Sequence, residues 1–259
     1  SEWEPVLDQA QQYSYNMVRA LAITDGWISS DRSRIYPYVR NGGGSIPADG
    51  GQKFNLNQFD QRFFDNLEAY LTEAESRGIV VVIELFGVSG PFGGSGSNND
   101  FSHNYWHASN SVGGSDNNWD IKRTAREKFF RTGGSMSSIQ DRLINKFLDY
   151  TSQHDNVVYQ PVNEMFGGYD GLNNNNARLF MNWIRDKIRQ RDSNAVVLLN
   201  TAAISSLPNY GIDESGYNGI TIHAPYERNG PVPGNYDISD MISDTRNLYN
   251  RNRFIGYDY

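Results

Sequence analysis

The sequence predicts an α/β fold built on a mainly parallel sheet, either a (β/α)8 barrel or an open doubly wound sheet, with the barrel favoured. Three observations support this. Segments of helical periodicity alternate with short apolar runs along the chain. The apolar runs are continuous, as strands buried on both faces require. No G-x-G-x-x-G or Walker sequence follows the first run, which weakens the nucleotide-binding form of the open sheet.

The elements follow in order. Trp3, Val6, Leu7, Ala10 and Tyr13 have the i, i+3, i+4, i+7 spacing of a helix. NMVRALAIT, ending at Thr24-Asp25-Gly26, reads as a strand, and NGGGSIPADGG as loop. Phe59, Phe63, Leu67, Tyr70 and Ala74 form the stripe of a second helix. It ends at Arg77-Gly78, where a basic last turn meets a glycine able to adopt positive φ. IVVVIELF is the strongest strand. From Gly87 to Ser135 there is little periodicity, so the stretch reads as one long functional loop. The remaining elements are SSIQDRLINKFLDYTSQ (helix), VVYQPV (strand), ARLFMNWIRDKIRQ (helix), AVVLLN (strand), GITIHAP (strand), DISDMISDTRNLYN (helix) and RFIGY (strand). The strand total is six, two short of a complete barrel.

Composition narrows the function. A length of 259 residues with 38% hydrophobic content suits one large domain or two small ones, and we read 1–259 as a single barrel domain. A net charge of -7 argues against a nucleic-acid partner. No apolar run approaches the roughly 18 residues of a membrane span, so no membrane partner is expected. The lack of Cys excludes thiolate chemistry and Cys-based zinc sites. Abundant Gly, Asn, Ser and Tyr suggest long polar loops of the kind common in extracellular carbohydrate-active proteins, so secretion is expected.

In either architecture function gathers at the C-terminal ends of the strands. Those ends offer Asp25 and Trp27, with Arg19 inside the first strand; Glu84; Asn163 and Glu164; His223, Tyr226 and Glu227; and Tyr257 and Asp258. The long loop adds His103, Trp106, His107 and Trp119. Carboxylates, amides, histidines and aromatics on one rim meet the needs of glycosidic-bond cleavage. One carboxylic acid protonates the leaving oxygen, and a second carboxylate attacks carbon or activates water. An Asn beside the acid can bond the sugar 2-hydroxyl, and aromatic rings offer flat apolar faces to sugars. Glu84 reads as a scaffold carboxylate with a buried partner. His103 and His107 have i, i+4 spacing, but their Asn, Ser and Gly neighbours argue against a helix. No metal or cofactor is therefore expected.

The order of these residues resembles the retaining glycoside hydrolases of clan A, and within them glycoside hydrolase family 5, the cellulase and mannanase family. NMVRALAIT resembles that family's second strand with its active-site Arg, and VVYQPVNE its fourth strand, ending in the acid/base Glu. ITIHAPY resembles the sixth strand, and RFIGYDY the seventh, which bears the nucleophile. The resemblance implies a TIM barrel of which strands two to seven are present, completed by the remainder of a longer chain. It implies that Glu164 is the acid/base, Asn163 the 2-hydroxyl partner and Arg19 a positioner of the nucleophile. His223 and Tyr226 would line the cleavage subsite, Trp106 would stack on a carbohydrate substrate, and Asp258 would be the nucleophile.

Two departures stand beside it. The family's nucleophile is Glu, whereas this strand offers Tyr257 or Asp258, and the third strand ends Leu85-Phe86-Gly87 where the family often has a nearby His. The first departure motivates an alternative, a catalytically inactive carbohydrate-binding barrel of a larger extracellular or virion protein. An unrelated open-sheet hydrolase is weakened by the lack of G-x-S-x-G.

Overall fold

The computed structural model describes residues 3–21, 34–46, 49–88, 104–113, 122–163, 165, 174–201, 216–223 and 254–258. The chain opens on α1 (Glu4–Gln12) and β1 (Met17–Leu21), then β2 (Phe54–Asn55), α2 (Gln61–Ser76), β3 (Val80–Gly87) and β4 (Ser111–Val112). After these come α3 (Lys122–Phe129), α4 (Ser137–Thr151), β5 (Val157–Asn163), α5 (Asn174–Arg191), β6 (Val196–Thr201), β7 (Gly219–His223) and β8 (Phe254–Asp258). The helix expected over DISDMISDTRNLYN lies outside the described residues.

The main sheet has six strands in the order β1-β3-β5-β6-β7-β8, and every pairing is parallel. Spatial order therefore follows chain order throughout. A doubly wound sheet reverses its order partway across. This one does not, so the described strands wind as the wall of an incomplete (β/α)8 barrel. The six strands are the six apolar runs of the sequence.

Helices cover the outer face. Tyr159 of β5 donates its hydroxyl to Thr151 Oγ1 of α4 at 2.8 Å, which fixes one face of β5 as helix-side. Burial there pushes the Tyr159 phenol up to about 12. Phe64 of α2 and Phe147 of α4 meet edge to face at 5.5 Å, and Leu143, Ile144 and Ile184 are also buried. Each such side chain contributes roughly 1.5–3 kcal/mol of burial free energy. On α1 only Leu7 and Ala10 are buried, while Val6 and Tyr13 face solvent. Its apolar stripe is thus narrower than the spacing predicts.

Local chemistry sets the ends of α2. Asp60 is the N-cap, accepting the Arg62 backbone N–H at 3.1 Å, and it holds the Arg62 guanidinium through Nε at 2.9 Å. Gly78 at φ 69° closes the helix, as the Arg77-Gly78 pair predicts, and Ile79 N–H reaches back to Ala74 O at 2.9 Å.

One expectation is corrected. The Gly87–Ser135 stretch holds β4 and α3 and is not a single loop. The α3 sequence KRTAREKF has Ala125 and Phe129 as its only apolar residues, too few to show a 3.6-residue period. The helix is fastened by tertiary burial of Arg126, Phe129 and Phe130.

Asp60 supplies a test of this local chemistry. Hydrogen bonds from the Arg62 side chain hold its carboxyl below the usual range. Its contribution to stability is therefore complete above the ordinary carboxylate pKa and is lost as pH falls through the lowered folded-state value. Asp60→Ala should cost about 1 kcal/mol at neutral pH, or about 2–4 °C of melting temperature for a chain of this size. Thermal melts from pH 7 downward should show that gap closing in acid; a gap independent of pH would contradict the cap.

Candidate active site

Alternation along β5 sets out the site. Tyr159 points to the helices, so Gln160 points to the barrel interior. Register places Glu84 of β3 directly beside Gln160, and Thr221 of β7 beside Asn200 of β6. These interior side chains form one continuous chain. Asn200 Nδ2 donates to Thr221 Oγ1 at 2.9 Å, and Thr221 Oγ1 donates to Gln160 Oε1 at 2.8 Å. Gln160 Nε2 donates to Glu84 Oε1 at 2.5 Å. From β1, Arg19 Nε forms an ion pair with the same Glu84 oxygen.

Every donor in this chain points towards Glu84. Amide, hydroxyl and guanidinium are all oriented by a single acceptor charge, the arrangement that an ionised carboxylate stabilises most. Glu84 is 1% exposed, and Gln160 and Asn200 are fully buried. The expectation of a scaffold carboxylate with a buried partner is met by Gln160, while Arg19, the partner of opposite charge, is itself accessible to solvent. Gln160, Asn200 and Thr221 were missed. Each is a single polar residue inside an apolar strand, and that was the available signal.

Above this layer lie the strand ends. Asn163, the last residue of β5, is 6% exposed, and its Oδ1 has no hydrogen-bond partner among the described residues. Buried amide oxygens are normally paired, so this one is free to receive a ligand hydroxyl. Glu164 follows it in the chain and lies outside the described residues, as do Tyr226, Asp25, Glu227, His103 and Trp119. His223 ends β7, and the β7–β8 register sets its backbone opposite that of Asp258 at the end of β8. The structure thus brings Arg19, Glu84 and Gln160 into contact, with Asn163 at the rim of the same strand as Gln160.

Trp106 is corrected. It is fully buried, with its ring 5.7 Å from Tyr38, 5.4 Å from Phe129 and 5.2 Å from Tyr105. It offers no face to a sugar. With Tyr36 and Phe54 these rings form an aromatic cluster, drawn from the segments that follow β1 and β3, that is continuous with the main core. Nearby His107 is buried, its Nδ1 2.6 Å from Ser109 Oγ, within a turn that carries the chain into β4.

No family model matches the chain, and no curated protein matches it in sequence. Solved structures do. The endo-1,4-β-mannanase of Rhizomucor miehei superposes with a TM-score of 0.60 at 13% identity, over 97% of this chain and 70% of that one. A family 5 glycoside hydrolase of Bacteroides vulgatus gives 0.54 at 12% identity, over 100% of this chain and 45% of that one. Endoglycoceramidase II of Rhodococcus sp., in complex with a cellobiose-like imidazole, gives 0.50 at 17%, over 96% and 67%. This chain shares the barrel fold of these three structures, and it spans between 45% and 70% of their length.

Because Trp106 is a core residue, Trp106→Ala should lower stability by about 3–5 kcal/mol, the usual loss for deleting a buried aromatic. Denaturant titration measures this. A near-normal midpoint with weakened glycan binding would instead make it a sugar platform.

Proposed function

We propose that this chain carries the catalytic face of a retaining glycoside hydrolase that cleaves β-glycosidic bonds in a polysaccharide or oligosaccharide. The observation that carries the reading is the end of β5. There a buried Asn163 with an unpartnered Oδ1 immediately precedes Glu164 in the chain, in a fold shared with known glycoside hydrolases.

The reaction runs in two steps. Glu164 as the acid gives its proton to the glycosidic oxygen while the Asp258 carboxylate attacks the anomeric carbon. The carbon–oxygen bond to the leaving sugar breaks, and a glycosyl ester forms on Asp258. Glu164, now a carboxylate, takes a proton from water, whose oxygen attacks the same carbon and releases Asp258. Two inversions give net retention. Asn163 accepts the 2-hydroxyl hydrogen bond that strengthens as positive charge develops on the ring. Arg19 steadies the nucleophile in its ionised form, and His223 and Tyr226 line the subsite where cleavage occurs. The backbone register of His223 with Asp258 supports assigning them to one subsite. No cofactor is required, and secretion suits a polymeric substrate.

Reducing-end release from β-glucans, mannans and xylans by the longest available parent protein tests this reading. Glu164→Gln should reduce release by about 10²- to 10⁴-fold, the usual range for loss of a general acid/base. Binding without any release by the parent would favour the inactive sugar-binding barrel, a reading motivated by the Tyr257-Asp258 ending of β8 in place of Glu.

A further inference from the structure

We propose that Glu84 is a positioning residue for hydrolysis, holding Arg19 in the orientation that steadies the nucleophile. The inference rests on the function proposed above and adds a second-strand carboxylate to it.

Stability alone does not account for Glu84. Ion pairs buried in a core are often no more stabilising than apolar residues of similar volume. A β3 otherwise made of VVVI and LFG could accept such a residue. Here the carboxylate is kept, and it gathers two donors on one oxygen, Arg19 Nε from β1 and Gln160 Nε2 from β5. Gln160 is itself locked by Thr221, and Thr221 receives Asn200. Side chains on three further strands, β5, β6 and β7, therefore specify where Glu84 Oε1 sits, and Oε1 specifies the Arg19 guanidinium through its Nε. The Arg19 side chain is 28% exposed against 1% for Glu84. The pair thus joins a buried anion on β3 to a more accessible cation on β1, the edge strand of the described sheet. An anchored base and an accessible cation suit a group whose task is to hold another charge in place.

Glu84→Gln keeps an acceptor oxygen for both donors while removing the charge that strengthens them. The test uses the full-length protein as wild type, Glu84→Gln, Arg19→Ala and the double variant. Active sites are counted by a burst with a slow 2-deoxy-2-fluoro glycoside, so a misfolded fraction does not enter the rates. We expect Glu84→Gln to lower kcat per site about tenfold with KM within about twofold, the signature of an interaction made in the transition state. In the Arg19→Ala background the same change should have little further effect, because it acts through Arg19. Wild-type kcat per site in Glu84→Gln, or independent and additive losses, would overturn the positioning role while leaving the hydrolase reading intact. Absence of hydrolysis by the wild-type protein would overturn both.

Discussion

A single carboxylate buried inside the barrel wall is the constraint on which the interior depends. Glu84 is 1% exposed, and a charge taken out of water is costly unless it is paired and hydrogen-bonded. Glu84 is therefore tolerable only while β1 delivers Arg19 and β5 delivers Gln160 to it. Gln160 in turn needs β7, and Thr221 of β7 receives Asn200 of β6. A one-residue slip in any of these strands would turn its polar member towards the helices. The apolar outer face makes the sheet cohere, and the polar inner chain makes its register unique.

This arrangement divides the work between the two faces. Outside, aromatic and aliphatic residues of α2, α4 and α5 pack on Val81, Ile83, Val157 and Tyr159, with nothing left for chemistry. Inside, the polar layer stiffens the strands below the rim where Asn163 sits. Tyr38, Tyr105 and Trp106, from the segments that follow β1 and β3, pack into the same continuous core as the strands and helices.

Much of this was legible in the sequence, for physical reasons that can be named. Buried parallel strands are continuous apolar runs, and all six strands of the main sheet appeared where such runs stood. The end of α2 was marked by Gly78, because its positive φ suits glycine. The polar layer was harder to see. Gln160, Asn200 and Thr221 are one polar letter each in three separate apolar runs, and only register shows that they meet. The burial of Trp106 was illegible because its partners Tyr38 and Phe129 are distant in sequence, one beside a Gly-rich stretch and the other in a charge-rich one, and both segments read as solvated. The α3 helix was hidden by having too few apolar residues to carry a period. Of the candidate site, Arg19 and Asn163 emerged at the strands expected of them, while their roles rest on chemistry at positions beside them.

The hydrolysis proposed for this barrel rim passes through a covalent glycosyl intermediate on Asp258, at the end of β8. Mass spectrometry of peptides from full-length protein inactivated by an activated 2-deoxy-2-fluoro-β-glycoside tests it most directly. One fluoroglycosyl group per chain is expected, carried by the peptide containing Asp258 and lost when Asp258 is replaced by Asn. No labelling by glucosyl, mannosyl or cellobiosyl reagents, or a label elsewhere in the chain, would contradict it.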